Sequence, residues 1–368
     1  MLLSATVLQS IGYVCIAILA LLGMVVVHEF GHYLAGRILG FKILEFSIGF
    51  GPAIFKHKGK KNGVIFSIRP FPLGGSCRFK DEDADSVDGD SFNSKAPWKR
   101  LIVLFAGAFF NFIAALIVIT LIFTFYGQVL PRIDKVNYDS SNIGVLQEGD
   151  IILSVNGKQL NILMQSDWSN AFGGNDDSAN IKVLRDGKTV ALSIKKSYCV
   201  VGNYDENGVF TPELNENGTT KTAWLFGFSS IMGPQRLGFF RSLGRSFSFM
   251  FHMVGTILSV LGSLITGQIG LENAGGPITT ISVMSTAAEA GFGVFAYVIC
   301  LISANLAVMN LLPLPALDGA RMVFCTIEWI FKKPIKKSIE GAIHATGFLL
   351  LLAFAIFADV FRLLTVGL

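Results

Sequence analysis

Charged residues are scarce in this sequence. Only 15% of the 368 residues are Asp, Glu, Lys or Arg, and 52% are hydrophobic; an average soluble domain has about 25% charged residues. The net charge of +4 is small, and no basic run is interleaved with aromatic residues that could stack on bases, which excludes nucleic acid as an expected partner. The composition therefore predicts a polytopic α-helical membrane protein whose surroundings are the lipid bilayer.

Paired cysteines are also lacking. The five cysteines are odd in number, scattered along the chain and free of CxxC spacing, so we expect small buried side chains rather than disulfides or thiolate metal ligands. Histidines are equally few. Three of the five are predicted to be surface or interfacial residues because they have no mutual spacing: His57, His252 and His344.

No lysine or arginine precedes Arg37, and no small-residue cleavage site follows the first hydrophobic run. A cleavable signal peptide requires both features, so residues 11–36 are predicted to be a retained transmembrane helix. The following loop, residues 37–100, contains twelve lysines and arginines. By the positive-inside rule this loop is cytoplasmic and the N-terminus lies outside.

One motif closes the first hydrophobic run: His28-Glu29-Phe30-Gly31-His32. Histidines four positions apart on a helix lie on one face, one above the other. This arrangement suits two ligands of a zinc ion, and the glutamate between them suits a general base. Soluble metzincins continue with a glycine and a third histidine, and these are absent here. The motif predicts His28 and His32 as metal ligands, Glu29 as catalytic base, and a site at membrane depth.

A zinc site with two histidines needs a third protein ligand and an open position. The segment Asn310-Leu-Leu-Pro-Leu-Pro-Ala-Leu-Asp318-Gly319 contains a carboxylate at the end of a proline-interrupted hydrophobic run. An ionisable residue at membrane depth is a functional candidate by default. Alternatively, Asp318 could be a carboxylate that reaches the cytoplasmic surface. Because a second half-site is present on another helix, we predict that Asp318 is the third ligand.

About four membrane spans are predicted, over residues 11–36, 101–126, 296–312 and 343–364. The hydrophobic segments between 240 and 290 are predicted to be interfacial or re-entrant, since one further crossing would move the lysines at 332–337 out of the cytoplasm. Short alternating strands with Asn-Gly and Asp-Gly turns predict a small β-rich domain outside the cytoplasm. The predicted domains are a membrane core at 1–130, the β-rich domain at 131–200, a linker with interfacial helices at 201–290, and a second membrane core at 291–368.

Three local segments each allow two interpretations. Alternation and a Pro/Gly-rich bend at 63–76 predict a membrane-associated β-hairpin or an edge strand. The acidic stretch at 81–90 is predicted to be a solvated loop, because Ser86 and Phe92 occupy the positions where a calcium loop needs Gly and Glu. Asn111, near Gly107 in the second span, is either a helix-packing contact or a residue that lines an active-site cavity.

In combination these segments resemble the site-2 protease family, specifically the RseP/RasP type of bacterial intramembrane zinc metalloprotease in peptidase family M50B. The resemblance covers nearly the whole chain. Its motifs are the HExxH sequence, Pro72-Leu73-Gly74-Gly75, Phe92-Asn93-Ser94-Lys95, Ala106-Gly107 through Asn111, one PDZ domain, Gly276-Pro277-Ile278, and Asn310 through Gly319. Two positions depart from the family pattern: Ala108 stands where proline is common, and Tyr138-Asp-Ser-Ser-Asn142 replaces Ser-Pro-Ala in the PDZ domain.

The resemblance implies a metalloendopeptidase that performs regulated intramembrane proteolysis with Zn²⁺ as cofactor. It implies transmembrane protein substrates that have already been shortened outside, of the anti-sigma-factor or signal-peptide-remnant type, at the bacterial inner membrane. The active site would face the cytoplasm and the PDZ domain would lie outside as a size filter. Asn310, Gly74 and Gly75 are expected to bind the substrate backbone, with Asn111 as a further candidate. The alternatives are a non-catalytic zinc-binding scaffold acting through the PDZ domain, and a metal transporter.

Overall fold

The computed structural model describes residues 2–60, 63–82, 84, 89–172, 176–205, 209–333 and 335–365. The chain divides into two compact units. Unit 1 comprises Met1–Ile119 and Met253–Leu368, and unit 2 comprises Thr120–His252. Unit 2 contains the segment 131–200 that was predicted to be the β-rich domain.

The helices follow the hydrophobic runs of the sequence. They are α1 (Leu2–Ile38), α2 (Pro97–Phe125), α3 (Gln165–Ala171), α4 (Phe239–Ile265), α5 (Pro277–Glu289), α6 (Phe292–Leu311), α7 (Asp318–Phe331) and α8 (Lys337–Thr365). Helix α2 begins with a proline at its first position and is followed by Gly127 at φ +99°, the asymmetry expected of helix starts and stops.

The strands are shorter. They are β1 (Ile43–Phe50), β2 (Phe55–Lys58), β3 (Ile65–Ile68), β4 (Phe71–Phe79), β5 (Gln128–Val136), β6 (Ile151–Val155), β7 (Lys158–Gln159), β8 (Ser178–Arg185), β9 (Lys188–Lys195), β10 (Ser197–Val200), β11 (Gly202–Tyr204), β12 (Phe210–Pro212), β13 (Thr222–Leu225) and β14 (Phe228–Gln235).

Five helices within the described residues are long and apolar enough to cross a membrane: α1, α2, α4, α6 and α8. Four of them coincide with the predicted spans. The fifth, helix α4, lies in the segment that was predicted to be interfacial or re-entrant. It buries the polar residues Ser242, Arg245 and Ser246 and exposes Phe240 and Phe251, so its outward face is apolar. Helix α5 has 13 residues and covers about 20 Å at 1.5 Å per residue, too short for a bilayer core of about 30 Å.

The sheet of unit 1 corrects the predicted hairpin. Its strand order is β2-β3-β1-β4. Strand β3 runs parallel to β1 and β4 runs antiparallel to it, so the two strands within 63–76 flank β1 and do not pair with each other. Strand β1, which the sequence analysis did not predict, separates them. The other possibility given by the sequence, an edge strand, is confirmed, because β4 lies at the edge of the sheet.

The acidic stretch is partly structural rather than solvated. The Asn93 side chain donates hydrogen bonds to the carbonyl oxygens of Asp81, Glu82 and Ala84. Glu82 in turn forms an ion pair with Arg321 of α7, and its side chain is 14% exposed. Residues 83 and 85–88 of this stretch lie outside the described part of the chain.

Unit 2 is built around a sheet of order β14-β5-β6-β8-β9, with β7 paired to β6. Its core contains Leu130, Ile133, Ile152, Val183 and Ile194. The segment 201–235 was predicted to be a linker, but β11 to β14 lie there, and β14 pairs with β5 along its whole length. Its Gly- and Asn-rich turns concealed the short strands between them.

The part of α4 that belongs to unit 2 is held by a buried arginine. Arg245 donates hydrogen bonds to Gln128 Oε1 and to the carbonyl oxygens of Leu153 and Leu160. A buried cation requires such partners, because leaving it unsatisfied would cost several kcal/mol or more. The helix is thereby fixed to β5, β6 and the segment after β7.

Candidate metal centre

Helices α1 and α2 are in close contact at two glycines, Gly31 and Gly107. A Cβ atom at Gly31 would overlap the carbonyl oxygen of Ala106. A Cβ atom at Gly107 would overlap His32 Nε2 and lie 2.7 Å from His28 Cε1. The absence of side chains at these positions leaves room for two imidazoles between the helices.

Three predicted ligands converge in this space. Asp318 Oδ2 lies 3.0 Å from His28 Nε2 and 3.2 Å from His32 Nε2, and the two imidazole nitrogens are 3.1 Å apart. The exposed fractions of the three side chains are 12%, 9% and 18%. These atoms form a nearly equilateral triangle, and they are the group of His, Cys, Asp and Glu side chains in the described residues that could hold a metal ion.

The triangle fits a zinc ion. Ligand atoms at 2.0–2.1 Å in a tetrahedral site are about 3.3 Å apart, close to the observed separations. Two imidazole nitrogens and one carboxylate oxygen are donors that zinc accepts, and three protein ligands leave one position open, as in catalytic zinc sites.

The hydrogen bonding of His32 selects the tautomer that a metal requires. Its Nδ1 lies 2.8 Å from the carbonyl oxygen of Val103. Since a carbonyl can only accept, Nδ1 carries the proton and the lone pair of Nε2 points into the triangle. Val103 belongs to α2, so the second helix orients a side chain of the first.

Glu29 lies on the side of the site that faces the β-sheet. Its Cγ is 3.1 Å from where a Cβ atom of Gly75 would be, and Ser47 O is 3.0 Å from the same point. Gly75 and the neighbouring Gly74 belong to the edge strand β4. Gly74 has φ +114°, and a side chain there would overlap the Phe50 ring. The structure therefore places Gly75 beside Glu29.

Two asparagines remain from the predicted site. Asn111 lies one turn after Gly107 on the same face of α2, is completely buried, and has no hydrogen-bond partner for either atom of its amide among the described residues. Its backbone oxygen accepts a hydrogen bond from Ser303 Oγ at 2.9 Å. Asn310 lies in the last turn of α6, partly buried. No described contact joins Asn310 to the triangle.

An apolar cavity of about 360 Å³ opens beside β4. Its walls come from α1, β4, α5, α6 and α8. They include Val25, Pro72, Gly74, Gly276, Pro277 and Leu306. Since Val25 is one turn before Glu29 on α1, the cavity and the glutamate share one face of that helix.

Sequence reasoning missed several residues that build the site. Gly31 was part of the motif without a role of its own, and Val103 carried no signal because a backbone carbonyl performs its function. His344, predicted to be surface or interfacial, is partly buried and accepts a hydrogen bond from the Ala316 N–H, 2.9 Å away. No spacing or motif in the sequence pointed to this contact of His344.

Two histidines of α1 and an aspartate at the start of α7, with a glutamate beside them, form the type of site that metal-dependent hydrolases use. The sequence profile of Peptidase family M50 matches residues 16–354, and the chain belongs to this family, which makes it a zinc metallopeptidase of the site-2 protease group.

Relatives of similar length carry matching names. A protein from Clostridium perfringens is 30% identical over 95% of this chain and 97% of its own length. One from Nostoc is 32% identical over 93% of each chain, and one from Campylobacter jejuni is 31% identical over 90% and 88%. All three are named as candidate zinc metalloproteases.

Proposed function

We propose that the protein is an intramembrane metalloendopeptidase that cleaves peptide bonds within transmembrane segments of single-pass proteins already shortened outside the cytoplasm. The observation that carries the proposal is the triangle of His28, His32 and Asp318 with Glu29 beside it, in which both histidines lie on α1, a helix long enough to cross a bilayer. Regulated intramembrane proteolysis of anti-sigma-factor or signal-peptide-remnant substrates at the bacterial inner membrane is the corresponding process.

In this proposal His28, His32 and Asp318 would bind the metal, and Glu29 would transfer the proton. A zinc ion held by these residues would supply a Lewis acid for the scissile carbonyl and for the attacking water. The Glu29 carboxylate takes the proton of the attacking water and delivers it to the departing amide nitrogen. His32, oriented by Val103 O, keeps its lone pair directed at the site throughout.

The substrate is received as an extended strand. A transmembrane helix satisfies its carbonyl groups internally, so it must unwind before a peptide bond can be attacked. Pairing with the edge strand β4 would replace the lost hydrogen bonds. Gly74 and Gly75 lie on this edge strand, and Gly75 packs beside Glu29. The two glycines and the amides of Asn310 and Asn111 are proposed to bind the substrate backbone.

The apolar cavity supports this mode of binding. Its 360 Å³ volume and its position beside β4 suit the hydrophobic side chains of a transmembrane segment. The peptide bond would then lie between the cavity and the three metal ligands, within reach of Glu29.

Unit 2 is proposed to be a PDZ domain that acts outside the cytoplasm as a size filter. Its segment Tyr138–Asn142 departs from the family pattern and serves the unit's own structure. Asn142 is 2% exposed, donates hydrogen bonds to Lys195 O and Phe226 O, and accepts one from Lys195 N. These contacts favour exclusion by size over recognition of a peptide tail through this segment.

Replacing Glu29 tests the catalytic assignment. We expect Glu29→Gln to abolish cleavage of a transmembrane reporter in detergent or liposomes while the purified protein retains equimolar zinc, because the side chain is not a ligand. Glu148→Gln, at an exposed position of unit 2, is the matched control and should cleave normally.

Undiminished cleavage by Glu29→Gln would disprove the assignment. A zinc-binding scaffold would keep its cellular function in this variant, and a transporter would keep its metal flux. A chelator should remove the activity of the wild-type protein, and added Zn²⁺ should restore it.

A further inference from the structure

The connection between α6 and α7 has an unusual backbone conformation just before Asp318. Ala316 has φ +76°, in the left-handed region that glycine tolerates and an L-residue adopts only with strain. Residues 313 and 315 are prolines and donate no hydrogen bond. The connection therefore depends on few contacts to maintain a strained shape.

One hydrogen bond anchors this connection to another helix. Leu312, Leu314 and Leu317 donate their N–H groups locally, to Met309, Leu312 and Leu314. The N–H of Ala316, by contrast, donates to Nδ1 of His344 in α8 at 2.9 Å. Nδ1 is therefore the unprotonated nitrogen of the His344 ring.

Packing holds the His344 ring and α8 in place. The ring meets Phe324 of α7 edge-on, with centroids 5.6 Å apart and planes at 75°. Three residues further along α8, a Cβ atom at Gly347 would overlap the Pro315 ring. Helix α8 thus contacts the adjacent residues Pro315 and Ala316 of the connection, through Gly347 and His344, which are three residues apart.

We propose that His344 is a positioning residue for the metal centre. It holds the Ala316 amide so that the chain turns in the left-handed conformation and delivers the Asp318 carboxylate between the two imidazoles. His344 acts through the backbone and touches neither metal nor substrate. The inference rests on the proposed function in one respect, the assignment of Asp318 as a ligand.

The mechanism follows from how little a ligand may move. Loss of the acceptor leaves the Ala316 N–H without its partner and removes the restraint on φ. Alanine then relaxes toward negative φ, which rotates the chain two residues before Asp318. Metal–ligand distances tolerate about 0.2 Å, so a rotation of this kind weakens the site even though all three ligands are still present.

The test is zinc affinity, measured by competition with a chromogenic chelator on the full-length protein in detergent. We expect His344→Ala to lower the affinity about tenfold or more, the effect usual for residues that orient metal ligands. His344→Asn should stay close to wild type, because Asn Oδ1 can occupy the place of Nδ1. His57→Ala, on an exposed strand, should leave the affinity unchanged.

A second substitution separates positioning from packing. Glycine adopts φ near +76° without strain, so Ala316→Gly in the His344→Ala background should recover a large part of the lost affinity. A residue that merely fills space cannot be rescued in this way. Wild-type affinity in His344→Ala, or equal losses in His344→Ala, His344→Asn and the double variant, would overturn the proposal.

Asp318→Ala distinguishes this inference from the proposed function. If Asp318→Ala leaves zinc affinity unchanged, the ligand assignment itself is wrong. If Asp318→Ala loses zinc while His344→Ala does not, only the positioning role is refuted. Should His344→Ala fail to fold, the His344→Asn and Ala316→Gly variants carry the comparison.

Discussion

Gly107 shows how a residue without a side chain can determine a metal site. A single methyl group there would occupy the space of His32 Nε2 and His28 Cε1. We predict that Gly107→Ala lowers the zinc content of the purified protein about tenfold or more, because both imidazoles must move and ligand geometry tolerates only about 0.2 Å. Metal analysis of the purified variant measures this.

Gly23→Ala is the matched control for that substitution. Gly23 also lies in a membrane helix, α1, and has no atom near the position of a Cβ, so its variant should keep full zinc content. Equal zinc in the Gly107 and wild-type proteins would show that the helices can separate without disturbing the ligands.

Glu45 gives the β-sheet of unit 1 a defined pH dependence. The hydrogen bond from Ser67 lowers the pKa of Glu45, and Arg69 and Arg78 lower it further against the opposing effect of burial. A carboxyl group with a lowered folded-state pKa stabilises the fold above its unfolded pKa of about 4.3. That stability is lost as the pH falls through the folded-state value.

We therefore predict that Glu45→Gln lowers the free energy of unfolding by about 1–3 kcal/mol at pH 7, and that the difference from wild type shrinks below about pH 4. Unfolding in detergent across this pH range measures the difference. Glu148→Gln, with an exposed carboxylate, should show little change. A deficit that is constant from neutral to acidic pH would contradict the interpretation.

At the scale of single residues, the sequence could predict the site residues that are marked by a characteristic spacing or position. An interval of four predicted His28 and His32 as ligands, and a carboxylate in a proline-interrupted hydrophobic run predicted Asp318; the structure brings these three side chains together. The contacts of Gly31 and Gly107 depend on how two helices align along their lengths, which local sequence does not contain. The left-handed backbone conformation of Ala316 could not be predicted either, because alanine is typical of right-handed helices.

Among the elements, α5 depends on a neighbour for its N-terminus. Asp359 of α8 accepts hydrogen bonds from the backbone N–H groups of Gly276, Ile278 and Thr279 and from Thr279 Oγ1, at 2.7–3.0 Å. Four donors on one carboxylate satisfy the free N–H groups of a helix start. A helix of 13 residues is marginal alone, so this cap determines whether α5 stays folded against α8.

We predict that Asp359→Ala lowers the free energy of unfolding by about 2–3 kcal/mol, through a lost cap and unsatisfied buried donors. Asp359→Asn should lose less, because one acceptor oxygen remains. Thermal unfolding in detergent compares the two with Asp90→Ala, whose carboxylate is 68% exposed. Equal stability of the Asp359 and Asp90 variants would show that α5 needs no cap.

The type of secondary structure was predictable where a long segment was almost entirely apolar. Four helices coincide with long apolar runs, since a helix satisfies its own backbone hydrogen bonds in lipid. Strand β1 was missed because its sequence mixes hydrophobic residues with the polar residues Glu45 and Ser47, which are themselves buried. The parallel pairing of β1 with β3 then made the predicted hairpin wrong, since short-range alternation says nothing about which strand lies between.

For the whole molecule, the distribution of positive charge predicts the orientation in the membrane. The lysine-rich segment around His57 should be cytoplasmic and the segment around Glu216 should lie outside. We expect single cysteines at these two positions, in a background without the five native cysteines, to react with an impermeant maleimide in intact spheroplasts only at position 216. Labelling of both positions, or only of position 57, would reverse or refute the topology.

The separation of the metal ligands along the chain has a consequence for biosynthesis. Both histidines leave the ribosome early, with α1, whereas Asp318 and its support His344 follow only after α6. A nascent chain inserted as far as α6 contains Glu29 and two of the three proposed ligands but not Asp318. On the proposed assignment, the metal site is completed only after α7 has been synthesised, and proteolytic activity is expected only from that point.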